Sequence, residues 1–438
     1  MATHEIGTDR PVSPLDREEI ARIEVGHTNV SRRVAKAMVA TFLLMLAVLP
    51  LVEFRGALGA LGAAGAAGAP RAPSASAAAW DRLVAANRVV LAKIDAFEAA
   101  LEDRSAMGRL LRPPAQRGLS GWFGAGNERV YIGRDGWLFY RPDVEYVTGR
   151  GFLDPRELER RVAAASEYET PPQPDPRPAI RQFARDLVAR GITLVLVPTP
   201  VKPSIHPDRL SRRAGARDAG ALHNLSYDAL LDELRRDGVL VFDPSSDLAR
   251  ARAAGDAQYL ATDTHWRPET VQRVAAALAA FVREHAGLPA RESPGYDAER
   301  REARQTGDIT AMLDLPTGQT LYPPERVALR YVVDEAGNPW RSSQDADVLL
   351  LGDSFTNIYS LATMGWGEGA GLAEQLSYVL QRPVDRIVQN DQGAHATRGL
   401  LHRELAAGTD RLAGKRVVIW QFAAREFAAG DWKVIGTP

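Results

Sequence analysis

At 438 residues the chain has room for one large α/β domain plus a smaller piece, and it is long enough to bury a core without disulfide help. Apolar residues at 45% and charged residues at 25% argue against a mostly disordered chain and against a multi-span membrane protein. Fifty-four Lys+Arg against 55 Asp+Glu leave a net charge of −1, so nothing global points to nucleic acid; the absence of cysteine removes thiolate nucleophiles, disulfides, iron–sulfur clusters and Cys-type zinc sites.

In chain order, residues 1–33 lead into an uncharged run, Ala37–Val52, with Arg32, Arg33 and Lys36 before it and Glu53 and Arg55 after it. Basic residues ahead of such a run predict a signal anchor over 34–54, with 1–33 as a cytoplasmic tail and the rest of the chain across the membrane. A cleaved signal peptide is the rival, because Ala57 and Gly59 follow the run. Residues 55–79 are an Ala/Gly/Pro-rich linker. Within 80–112, Trp80, Leu83, Asn87, Val90, Ile94, Phe97 and Leu101 recur at three- and four-residue steps, which predicts an amphipathic helix. Its apolar stripe docks on its own domain or, alternatively, on a partner. Residues 112–127 and 170–178 read as Pro/Gly-rich breaks.

Beyond 178 the pattern alternates helix and strand, which predicts an α/β fold with a mostly parallel sheet and helices on both faces. Helices are expected over 179–190, from Pro268 to about Ala286, and from about Thr397 to Ala407. Strands are expected over Ile192–Val197, Leu240–Phe242, Asp347–Leu351, Val384–Val388 and Arg416–Trp420. Ligands in such sheets bind outside the carboxyl ends of the strands. There, directly after Asp347–Leu351, stands Gly352-Asp353-Ser354-Phe355. A glycine before a serine at a strand end permits a tight turn that presents the hydroxyl as a nucleophile, although the same tripeptide also makes ordinary turns. Asp263-Thr264-His265-Trp266 supplies what a serine needs, an imidazole to take its proton and a carboxylate to fix the ring. In an extended segment residues two apart face the same side, so Asp263 and His265 would share one pocket. The alternative is a helix-capping Asp263 beside a surface histidine.

The DTHW and GDSF segments, together with Arg129–Tyr140, Val197–Pro207 and Gly307–Pro316, resemble the SGNH-hydrolase-like alginate O-acetyltransferase family. The resemblance runs from about residue 129 to the C-terminus. It implies a three-layer α/β/α sandwich over 128–438 and a domain anchored in the inner membrane that faces the periplasm and O-acetylates an exopolysaccharide. It also implies Ser354 as nucleophile, His265 as base and Asp263 as its partner. A multi-span membrane acyltransferase supplying acetyl groups is implied in the same way.

SGNH enzymes use a glycine and an asparagine side chain as oxyanion donors. After Val384–Val388 the candidates are Asn390 and Gly393, with Gln392 as a substitute and Asn390 alternatively a turn residue. His395 competes as base but has no carboxylate spaced to orient it. Lys202 and Arg425, each after a strand, are candidate contacts for an anionic sugar or donor, or else surface charges. No metal or cofactor is needed by this chemistry. A carbohydrate acetylesterase with the same triad, and a non-catalytic tethered component of a polysaccharide assembly complex, are the alternatives to the transferase.

Overall fold

The computed structural model describes residues 31, 33–44 and 46–48, scattered positions from 87 to 101, and residues 105–164, 171–212, 220–289, 292–391 and 393–437. The chain divides into two units, Met1–Leu111 and Arg112–Pro438. In the first, residues 33–44 and 46–48 are helical, as are the described positions between 87 and 101. Among the described residues no helix is long and apolar enough to cross a membrane. This corrects the expected single-pass inner-membrane placement: a span takes roughly 20 apolar residues, whereas the described helix carries Arg33 and Lys36 in its first turns. The linker over 55–79 lies outside the described residues. Helix α1 (Ala106–Phe123) replaces most of the break expected over 112–127, and it runs through Pro113 and Pro114. Its C-terminal end is secured by Gln116, whose amide donates to Ser120 Oγ at 2.9 Å and to the carbonyls of Ala125 and Gly126.

The remaining elements that matter for the site are β1 (Val130–Ile132), β2 (Leu138–Tyr140), α2 (Pro176–Ala189), β3 (Thr193–Thr199), α3 (Tyr227–Arg236), β4 (Leu240–Val241), α4 (Pro268–His285), β5 (Asp297–Gln305), β6 (Glu325–Val333), β7 (Val348–Gly352), α5 (Leu372–Leu380), β8 (Asp385–Val388), α6 (His395–Ala406) and β9 (Val417–Ala423). The central sheet has the order β4-β3-β9-β7-β8, and every pair in it is parallel. Its strands are continuous apolar runs because both faces are covered. Val195, Val197, Leu350 and Ile419 pack with residues of α4 and α5 on one face. Leu194, Leu196, Leu351 and Trp420 pack with residues of α2, α3 and α6 on the other. That is the expected three-layer α/β/α arrangement, built by side chains that alternate from face to face along each strand.

Local signals explain the helix ends. Asp175 caps α2 by accepting from the Arg177 N–H at 3.0 Å. Proline opens α4, and Gly287 just beyond its end has φ +60°. Two antiparallel hairpins stand outside the central sheet, β1–β2 and the nine-residue pair β5–β6.

Candidate active site

The carboxyl ends of β3, β9, β7 and β8 converge on one edge of the sheet, and the candidate residues gather there. Strand β7 is wholly buried and ends in Gly352. A Cβ on that residue would lie 2.2 Å from Thr356 Oγ1, so the following turn closes only over glycine. Asp353 then caps a short helix, Ser354–Asn357, by accepting from Phe355 N–H at 2.9 Å. The Asp353 carboxylate also accepts from Gln421 Nε2 at 2.9 Å and from Ala423 N–H at 2.7 Å, which staples the turn to β9. Ser354 is half-buried at the first position of this helix.

The histidine arrives on the loop before α4. Tyr259 and Trp266 pair across that loop, and Asp263–His265 lies in bends, not in the extended segment expected from the sequence. The two-residue spacing works by another geometry. Asp263 Oδ1 accepts both the backbone N–H of His265 at 3.0 Å and its ring Nδ1 at 2.7 Å, so the carboxylate turns the backbone and holds the ring at once. Asp263 Oδ2 accepts from Asp308 N–H at 3.1 Å and from the indole N–H of Trp366 at 2.9 Å. Burial alone would raise the Asp263 carboxyl, but the His265 hydrogen bond and charge outweigh it and hold the group well below the usual carboxylate range. Burial likewise pulls His265 down, and the same partnership reverses this, leaving the imidazole above its ordinary value.

With Nδ1 bonded to Asp263, His265 Nε2 is left buried and without a hydrogen-bond partner. The ring lies 4.8 Å from that of Phe355, the neighbour of Ser354. Trp266 Nε1 donates to the Phe355 carbonyl at 3.0 Å, and Tyr359 Oη donates to the Trp266 carbonyl at 2.8 Å. These bonds tie the aspartate–histidine loop to the segment bearing Ser354.

The other candidates fall differently. Lys202 is fully buried, and its ammonium donates to the carbonyls of Leu138 (2.5 Å), Ala261 (2.8 Å) and Asp263 (3.0 Å). Three protons meet three carbonyls, so the group holds the loop, and burial lowers it to about 8. Arg425 donates to Asp143 Oδ1 at 2.9 Å and sits 6.0 Å from the Phe355 ring. With Glu145, Arg150, Arg160 and Asn224 it lines a cavity of about 430 Å³. Asn390 accepts from the side chain of Asn357 at 2.8 Å, which joins it to the serine's helix. Gly393 has φ +74°, and a Cβ there would lie 2.5 Å from Glu426 Oε2. Gln392 lies outside the described residues. Asp263, His265 and Asp308 turn one atom each to within 4.8 Å of one another, a spacing a metal ion could use. Nδ1 and both Asp263 oxygens are, however, already committed to hydrogen bonds.

Sequence reasoning missed Gln421, Trp366 and Asp308. Gln421 is the lone amide in the buried strand β9; it bonds Thr199, Thr356 and both the N–H and the carboxylate of Asp353. That break in an apolar run was a readable signal. Trp366 was marked by its flanking glycines, Gly365 and Gly367, both left-handed (φ +85° and +93°). Asp308 follows Gly307, where a Cβ would lie 2.2 Å from the Thr262 carbonyl oxygen.

Residues 130–424 match the family model of the SGNH hydrolase-like domain of the acetyltransferase AlgX. A probable alginate O-acetylase AlgJ of Pseudomonas aeruginosa is 30% identical over 234 residues, which cover 53% of this chain and 54% of that protein. This match thus spans about half the relative's length. The corresponding protein of Azotobacter vinelandii is 26% identical over 311 residues, 69% of this chain and 71% of that one. The O-acetyltransferase domain of Pseudomonas putida AlgJ has the same fold, with a TM-score of 0.51 at 22% identity over 68% of this chain and 92% of that domain.

Proposed function

The chain belongs to the SGNH hydrolase-like domain family of the acetyltransferase AlgX, and from that premise we propose that it transfers acetyl groups to polysaccharide hydroxyls through an acetyl-serine on Ser354. The polymer named for the relatives is alginate. The observation that carries this reading is the buried, unpartnered Nε2 of a histidine whose Nδ1 is held by an aspartate, on a loop bonded to the serine's helix. An imidazole so held keeps its lone pair on Nε2 and aims for a proton it has not yet received.

In this mechanism Nε2 takes the Ser354 hydroxyl proton while the oxygen attacks the acetyl carbonyl. The tetrahedral oxyanion is held by the Ser354 N–H and a donor from the Asn390–Gly393 loop. His265 returns the proton to the leaving group, and an acetyl ester remains on Ser354. A sugar hydroxyl then gives its proton to Nε2 as it attacks that ester, and collapse releases the acetylated sugar and restores the serine. Asp263 stabilises the imidazolium in both halves. The bonding of Asn390 to the serine's helix supports placing the oxyanion donor in that loop.

Incubation with an activated acetyl donor tests the scheme. Intact mass should show one added acetyl group, mapped to Ser354 in the peptide digest and missing from Ser354→Ala, whose fold is unchanged because the hydroxyl is not part of the core. An acetyl-enzyme on another residue, or none with any donor, would overturn the mechanism. Water attacks the same intermediate, so release with and without oligosaccharide separates transfer from ester hydrolysis.

A further inference from the structure

We propose that Asp308 is a positioning residue of the base: it clamps the Asp263–His265 turn from behind and adds a second negative charge beside the imidazolium. The inference rests on the role assigned to His265 above, and it gives a function to a carboxylate that the triad does not use.

The clamp has two bonds. Asp308 N–H donates to Asp263 Oδ2 at 3.1 Å, and its Oδ1 accepts from Thr264 N–H at 2.7 Å, so the residue grips the turn at the Asp263 side chain and at the backbone of Thr264, the residue between Asp263 and His265. Its other oxygen, Oδ2, lies 3.8 Å from His265 Nδ1. That is too long for a hydrogen bond but within reach of a direct charge interaction. Gly307 brings the residue this close, because its backbone packs against the Thr262 carbonyl where no Cβ would fit.

The other charged groups around the turn are already engaged. Glu325 accepts from Thr262 N–H and Oγ1, both at 3.0 Å, and also faces Arg267 at 3.8 Å. Lys202 is held by three carbonyls. Asp353 is bonded to Phe355, Gln421 and Ala423, and Asp143 to Arg425. Besides Asp263, Asp308 is thus the carboxylate placed to follow the charge on His265. Its own carboxyl is raised to about 6, by burial first and then by the neighbouring Asp263 charge, so it too changes charge in the range where the base works.

The deciding substitution is Asp308→Asn, which keeps the backbone donor and an acceptor for Thr264 and removes only the charge. The first measurement is the imidazole titration of His265 by NMR in the full chain without substrate. Its midpoint should fall by about 1 pH unit in the variant, a shift of the size one nearby charge produces. The acid limb of the kcat/KM profile should move with it while KM stays put, and Asp308→Glu should recover part of the shift. A variant whose His265 titrates as in the wild type overturns the proposal. Should the variant fail to fold, the wild type is decisive: the labelled Asp308 carboxyl and the His265 ring must share two inflections, as coupled sites do, and independent single inflections refute the role. A displaced His265 titration in a protein that acetylates nothing would reject the transferase and leave the positioning role standing.

Discussion

Asp263 accepts four hydrogen bonds, from the backbone and ring of His265, the backbone of Asp308 and the indole of Trp366. This saturation keeps the carboxylate ionised in a buried place where a lone charge would be driven neutral. Asp263→Asn removes the charge and, whichever way the amide turns, sets its NH2 against two of these four N–H donors, so acetyl transfer should fall by roughly 10⁴-fold, as when a triad aspartate loses its charge. Steady-state rates on folded variant check this, and a loss of less than tenfold would count against the orienting role. Because His265 sits above its ordinary 6.5, the neutral base accumulates only at higher pH, and activity should rise with pH through a midpoint above 6.5. The Asp263 carboxyl is depressed, so it contributes stability above the ordinary carboxylate value that is lost as pH falls through the folded one. The aspartate–histidine pair was legible because its partners are two residues apart. The flanking glycines marked Trp366 as a special position, but its pairing with Asp263 was not legible, because the two are 103 residues apart in sequence and meet only through the fold.

At the scale of elements, the buried strands were readable because each is a short continuous apolar run. β3, β7, β8 and β9 fall within one to three residues of their expected bounds. Strand β5 was unreadable: Asp297–Gln305 is rich in Ala, Glu and Arg, which favour helix, and most of its residues are exposed. Pairing with the alternating β6 makes it a strand, a tertiary effect that overrides local preference. The turn after β7 was legible in type through its glycine, but the reason for the glycine is contact with Thr356. Gly352→Ala should push Thr356 off Gln421, to which it donates at 2.7 Å, and through Gln421 disturb Asp353. Such overpacking costs about 1–3 kcal/mol. Thermal unfolding should show that loss together with reduced acylation of Ser354; a variant with wild-type stability and acylation would show that the turn has room to spare.

Over the whole molecule, the site depends on β2, the end of β3 and the loop before α4 being held together, and these lie far apart in sequence. Lys202 is the joint, since its ammonium meets a carbonyl from β2 and two from the loop that carries Asp263. A buried lysine with a lowered pKa is usually suspected of chemistry, and the sequence offered a substrate contact. The geometry instead gives it the work of neutralising three inward carbonyl dipoles while adding a positive charge behind Asp263. Lys202→Met fills the same space and removes the ammonium from all three carbonyls; that of Ala261 keeps the Leu138 N–H at 2.8 Å, while those of Leu138 and Asp263 lose this donor in a desolvated place. Hydrogen bonds to a charged group are worth about 1.5–3 kcal/mol apiece, and relaxation of the loop recovers part of that sum. A net loss of about 2–4 kcal/mol in denaturant unfolding is therefore expected. Faster hydrogen exchange should be confined to residues 259–266 and the β1–β2 hairpin, and kcat should fall at unchanged KM. A rise in KM at unchanged stability would return Lys202 to the substrate and remove it from the framework of the site.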